Sequence, residues 1–234
     1  MNYRNSNPVF RRMRNMEAVT YDGAVTYSSV TFRTLFLLLV AGGVGAYFYA
    51  YPFLSIGALI GAFILGFISV WVGTRNVKLA PIFGTIYAIS EGYILGTISL
   101  MYASLADGII PTAISTTFIV VLITVLLFSG GFIKVSSKFA SALVVGLISV
   151  IFMSLLSMLI PSVFGGTFFY LVVFLSAILS VLFLFFDYEN VRTMVEAGTA
   201  KEYSWTLAIG LMVTIVWVYM EILRILFIIA NNRR

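Results

Sequence analysis

Residues 34–51 carry no charge and end in aromatics before Pro52. About 20 consecutive apolar residues cross the hydrocarbon core as a helix, so this run predicts a first membrane span. Residues 53–73 predict a second, closed by Trp71 and the polar turn Thr74-Arg75-Asn76-Val77-Lys78. Residues 79–106 predict a third, interrupted only by Glu91. Asp107-Gly108 turns the chain into a fourth at residues 109–133, and Lys134 and Lys138 bracket the turn after it. The next uncharged run covers residues 139–186, 48 positions. As one helix it would measure ~72 Å, more than twice the hydrocarbon thickness. It must fold back, and Pro161 with Gly165-Gly166 supplies the breakers, giving spans five and six. Residues 187–202 mix charges and read as a short connection, and residues 205–230 predict a seventh span carrying Glu221 and Arg224. The pattern is an all-α membrane bundle of seven spans, with six or eight as alternatives. Residues 1–33 form a basic tail and residues 34–234 the transmembrane domain.

Composition excludes the soluble classes. The chain is 61% hydrophobic and only 10% charged, whereas soluble domains carry about 25% charged residues. Cysteine and histidine are absent, which removes thiolate nucleophiles, imidazole acid–base chemistry, the Ser–His pair of an intramembrane protease, and the usual zinc, haem and copper ligands. An enzyme is therefore not expected, nor any bound cofactor. All four lysines (78, 134, 138 and 201) lie in connections, so no span offers a Schiff-base lysine for retinal.

The net charge of +5 has to be read by position. Arg4, Arg11, Arg12, Arg14 and Arg33 precede span one, Arg75 and Lys78 follow span two, Lys134 and Lys138 follow span four, and Arg192 and Lys201 follow span six. The alternate connections hold no Lys or Arg. This bias places the N-terminus in the cytoplasm and, with seven spans, the C-terminus outside, although Arg233-Arg234 pulls mildly the other way. The charge reports orientation, not a nucleic-acid partner. The tail reads as a flexible cytoplasmic segment or as an interfacial helix on anionic lipid.

Three acids fall inside or at the edge of spans: Glu91, Asp187 and Glu221. An acid at the centre of a spanning helix costs about 2.5–3.5 kcal/mol, so such residues mark function or a specific partner. Glu91 is either a functional acid near mid-membrane or a protonated one bonded to a neighbouring backbone. Glu221 is either functional or neutralised by Arg224 three residues on. Asp187 is either functional or the terminal acid of a helix entering a loop. Gly92 and Gly96 form a small-residue face for close helix approach, and Gly57 with Gly61 forms another. Both are expected to pack inside the bundle, consistent with a monomer.

Asn7-Pro8-Val9-Phe10, Glu91-Gly92-Tyr93-Ile94-Leu95-Gly96, Phe186-Asp187-Tyr188 and Trp217-Val218-Tyr219-Met220-Glu221-Ile222-Leu223-Arg224 together resemble the Bax inhibitor family. The bacterial YccA-like and YetJ-like branch is the nearest in pattern, over roughly residues 25–230. The resemblance implies a bacterial inner-membrane protein with seven helices, the last near the centre, and a pH-sensitive calcium leak. In that pattern an acid ending helix six pairs with an acid in helix seven, and an Arg ending helix two latches the closed state. Asp187 matches the first acid and Arg75 the latch. The position of the second acid holds Thr214, and Glu221 stands seven residues later, ~10 Å farther along the helix. The proton-sharing pair expected here is therefore Glu91 with Glu221.

These readings point to a cation leak channel or transporter gated by protonation, with calcium as the transported ion. Calcium favours hard oxygen ligands, which Asp187, Glu221 and Glu91 would supply transiently. Two acids facing each other in a dry bundle cannot both ionise cheaply, so proton and cation occupancy would be coupled. The alternative is a modulator of membrane-protein quality control that binds a membrane-bound AAA protease (FtsH-like) through its basic tail.

Overall fold

A computed structural model of the protein describes residues 23–104, 107–130, 132, 135–160 and 166–231. Among the described residues there are seven long helices: α1 Tyr27–Ala50, α2 Ile56–Arg75, α3 Ala80–Ala103, α4 Ile109–Ser129, α5 Ser137–Leu159, α6 Thr167–Glu196 and α7 Tyr203–Asn231. The Asn7–Phe10 motif, most of the basic tail, Lys134, the breakers Pro161 and Gly165, and Arg233-Arg234 lie outside the described residues. Gly166, at φ 59°, caps the start of α6, and Gly108, at φ 72°, sets the turn into α4. Both occupy a left-handed backbone region in which a side chain is strained.

Two boundaries differ from the charge-based expectation. Helix α1 begins at Tyr27, not at residue 34, because Thr26 and Ser29 form a reciprocal capping box there. Arg33 is accommodated inside the helix. Its guanidinium donates to the Ser29 carbonyl at 3.0 Å and lies 5.3 Å over the Trp205 ring. Helix α6 likewise runs past Asp187 to Glu196, so Asp187 is a helical residue and the connection to α7 is short. Arg192 supports that extension through Glu196 at 2.9 Å and Glu189 at 3.9 Å, one turn away on either side.

Six of the helices are long and apolar enough to cross a membrane. The exception is α3, which carries Glu91 among glycines, serines and tyrosines. Its surroundings explain the difference. Helix α3 packs against α1, α2, α4 and α7, and it buries Gly84, Ser90, Gly92, Gly96, Thr97 and Ser99 against them. Small and weakly polar residues suit a helix walled by other helices, where close approach matters more than lipid solubility. The Gly92–Gly96 face meets α1 as expected. The Gly57–Gly61 face does not pack inside the bundle: nothing stands within 4 Å of a side chain added at Gly61, and only Ser55 does so at Gly57. Spacing alone predicts burial there, and spacing does not say which face of a helix is covered.

Helix α7 occupies the middle, packing against α1, α2, α3, α4 and α6. One core cluster joins Leu37 and Ala41 of α1, Tyr87 and Ala88 of α3, and Ile209, Met212 and Val216 of α7. At one end of the bundle the chain before α1 is clipped to the α6–α7 connection. Val25 donates to the Thr199 carbonyl, Lys201 donates to the Gly23 carbonyl, and the Ser29 and Ser204 hydroxyls meet at 2.8 Å. The start of α1 is thereby held to the start of α7.

Candidate functional site

The seam between α6 and α7 carries two polar centres. At the first, the Thr214 hydroxyl donates a short hydrogen bond to Oδ2 of Asp187, and it also lies 3.4 Å from the Gly210 carbonyl. Thr214 is buried, and Asp187 is partly so. The next residue, Tyr188, turns to α4, where its hydroxyl meets Thr124 at 3.4 Å. Thr214 thus stands where the resemblance places a second acid, and it fills that place with a neutral donor.

The second centre surrounds Glu221, whose side chain is only 5% exposed. Oε1 accepts from the Ser176 hydroxyl at 2.7 Å and from the Trp217 indole at 3.2 Å, and the Arg224 guanidinium bonds both carboxylate oxygens at 3.2–3.3 Å. Trp217 also reaches Ser176 at 3.3 Å. A buried carboxylate is tolerable when its lone pairs are met this fully by donors and a cation. A cavity of about 360 Å³ opens beside it, walled by α4, α6 and α7 and lined chiefly by apolar side chains such as Val120, Phe174 and Ile178.

Glu91 stands apart from both. It is partly buried on α3, one turn beyond Tyr87, and it makes no hydrogen bond or ion pair among the described residues. The expected Glu91–Glu221 pair is therefore not formed. Helix α7 turns Glu221 toward Ser176 on α6, and Arg224 supplies the neutralising charge. The expected latch between Arg75 and Asp187 is not formed either. Arg75 is exposed at the end of α2, with its guanidinium 4.4 Å over the Trp71 ring of its own helix. It reads as an interfacial cation stacked on an aromatic. The three acids also fail to assemble as calcium ligands: no group of three or more acidic, His or Cys residues able to hold a metal occurs among the described residues.

A larger groove of about 570 Å³ runs between α1, α3, α4, α6 and α7, with Thr34, Ser99, Thr117, Tyr188 and Tyr219 among the polar groups of a mainly apolar wall. Ser99 and Tyr219 meet across it at 2.8 Å. Sequence reasoning missed Ser176, Trp217, Ser99 and Tyr219. For Trp217 the signal was present, since it stands four residues before Glu221 on one helix face. For Ser176 the only clue was its i,i+4 repeat with Ser180 inside an apolar run.

A family model described as Bax inhibitor 1 like matches residues 7–231. None of the curated proteins matches the chain.

Proposed function

The chain belongs to the Bax inhibitor 1 like family, and from that premise we propose that it is a pH-sensitive cation leak channel or transporter gated by protonation of an intramembrane carboxylate. The observation that carries this reading is the Asp187 carboxylate, held by Thr214 inside a seam between two apolar helices. A partly buried acid whose first partner is a hydroxyl can exchange a proton for a cation without a counter-charge having to leave. Tyr188 lines the groove beside it, which supports a route to the acid from that side. Calcium is the ion that the family resemblance implies.

The direction of the pH dependence follows from competition. Protons neutralise the carboxylate that a cation needs, so metal-ion leak should fall as the medium is acidified. Liposomes holding the purified protein, assayed for cation flux across a pH series, test this. Asp187→Asn should leak less and respond little to pH. A variant with the flux and pH profile of the parent would end the role of Asp187.

The proposed setting is a bacterial inner membrane, crossed seven times, with α3 as the least apolar span and the N-terminus cytoplasmic. Reporter fusions in the α5–α6 connection and at the C-terminus should then both read as external. A cytoplasmic C-terminus would mean that one helix does not cross. A second role, docking of a membrane-bound AAA protease by the basic tail, is favoured by one feature. The tail joins the bundle at Gly23–Val25, directly on the α6–α7 connection that leads to the seam. Pull-down with and without residues 1–22 tests it.

A further inference from the structure

We infer that the α6–α7 seam is matched to a cation of single charge, a proton or an alkali ion, in preference to calcium, and that Thr214 sets this preference. The inference rests on the cation-leak reading and narrows its substrate class.

Fixed charge along the seam sets this preference. Between the two helices the charged residues are Asp187, Glu221 and Arg224, while Glu189 and Glu196, farther along α6, pair with the half-exposed Arg192. Arg224 holds both oxygens of Glu221, so this pair is neutral and its carboxylate is already saturated by Ser176 and Trp217. What remains is the single negative charge that Asp187 carries when ionised. One alkali ion or one proton neutralises it. A calcium ion there would leave a net positive charge in a medium of low dielectric, where uncompensated charge is costly.

The ligand inventory gives the same answer. Calcium takes 6–8 oxygen ligands, and its affinity is tuned by the number of charged ones. At Asp187 the seam offers one carboxylate and the Thr214 hydroxyl, while the nearby Gly210 carbonyl is already approached by that hydroxyl. Glu91 does not add to the set, because it sits on α3 and bonds to neither α6 nor α7. A second acid at position 214 would supply both the missing charge and a bidentate ligand.

The test uses the full chain in liposomes, with potassium, proton and calcium fluxes measured separately under equal driving force. Potassium or proton flux through the parent protein should exceed calcium flux by about tenfold or more, since the site lacks the charged ligands that calcium sites are tuned by. Thr214→Asp should raise the calcium-to-potassium ratio by a similar factor, while the uncharged Thr214→Asn should leave it unchanged. Parent protein that passes calcium as readily as potassium would overturn the inference and leave the leak reading standing. Equal effects of the Asp and Asn variants would also overturn it. If the Asp variant does not assemble, the ratio in the parent protein decides alone. Absence of flux for every cation would overturn the leak reading and the inference together.

Discussion

Replacing Glu221 with Ala should cost the folded bundle about 3–5 kcal/mol, the range for removing one partner of a buried charge pair. The loss has three parts. Arg224 is left without its counter-ion, the Ser176 hydroxyl loses an acceptor at 2.7 Å, and the Trp217 indole loses one at 3.2 Å. Glu221→Gln should cost less, because its amide oxygen can still accept from Ser176 or Trp217 while only the ion pair is lost. Arg224 is one-third exposed, so its head group can reach outward and soften the Gln variant further. Adding Arg224→Ala to Glu221→Ala should recover part of the loss, since the orphaned cation is removed. Denaturation of the detergent-solubilised protein, run as a double-mutant cycle, measures each step. Additive losses would show that Glu221 and Arg224 are not coupled, and a Glu221→Ala variant as stable as the parent would show that the cluster contributes little. Glu91→Gln should be close to neutral in stability, because no partner is lost with its charge. The two glutamates are therefore expected to behave unequally, as befits acids that do not share a proton.

Charges and breakers made the helix count legible from the sequence, and the reasons are local. An uncharged run of 48 residues has to fold back, and Asp107-Gly108 has to turn, whatever surrounds them. The boundaries that charge misplaced were both at residues with a private solution to their charge. Arg33 lies on Trp205, and the acids after Asp187 lie within reach of Arg192. Such arrangements let a charged residue continue a helix that hydropathy alone would end. The candidate site was legible as a set of residues but not as a set of pairs. Asp187, Thr214 and Glu221 stood out because acids are rare in membrane spans and because the motif order matched a known family. Which acid meets which partner depends on the rotation of α7 against α6 and α3. A stripe of residues seven apart, such as Thr214 and Glu221, fixes a common face without naming the helix it confronts. Ser176 is nearly invisible for that reason, and the expected partner of Glu91 turns to α6 instead, leaving Glu91 without one among the described residues.

Gly96→Ala should be the most damaging single-methyl change in the bundle, costing about 3 kcal/mol or more, at the upper end of core overpacking. A methyl group there would press on the carbonyl oxygen and Cα of Gly45, which are backbone atoms and cannot rotate away. One turn earlier, a methyl on Gly92 would come within 2.6 Å of the Ala41 carbonyl oxygen and 2.8 Å of the Val44 Cβ. Helices α1 and α3 therefore meet backbone to backbone over this stretch. For α1 to retreat it would have to leave the core cluster in which Leu37 and Ala41 pack against Met212 and Val216. It would also strain the Ser29–Ser204 contact and the clip at residues 23–25. The added methyl therefore acts on three contacts at once. Gly61→Ala provides the contrast, since open space surrounds that position. In a helix interior Ala is favoured over Gly by about 0.8–1.0 kcal/mol, so this variant should be neutral or slightly more stable. Thermal denaturation of both variants in detergent decides the matter. Equal stability of Gly96→Ala and Gly61→Ala would mean that the α1–α3 contact is loose enough to absorb a methyl group, and that α3 owes its place in the bundle to something other than close packing.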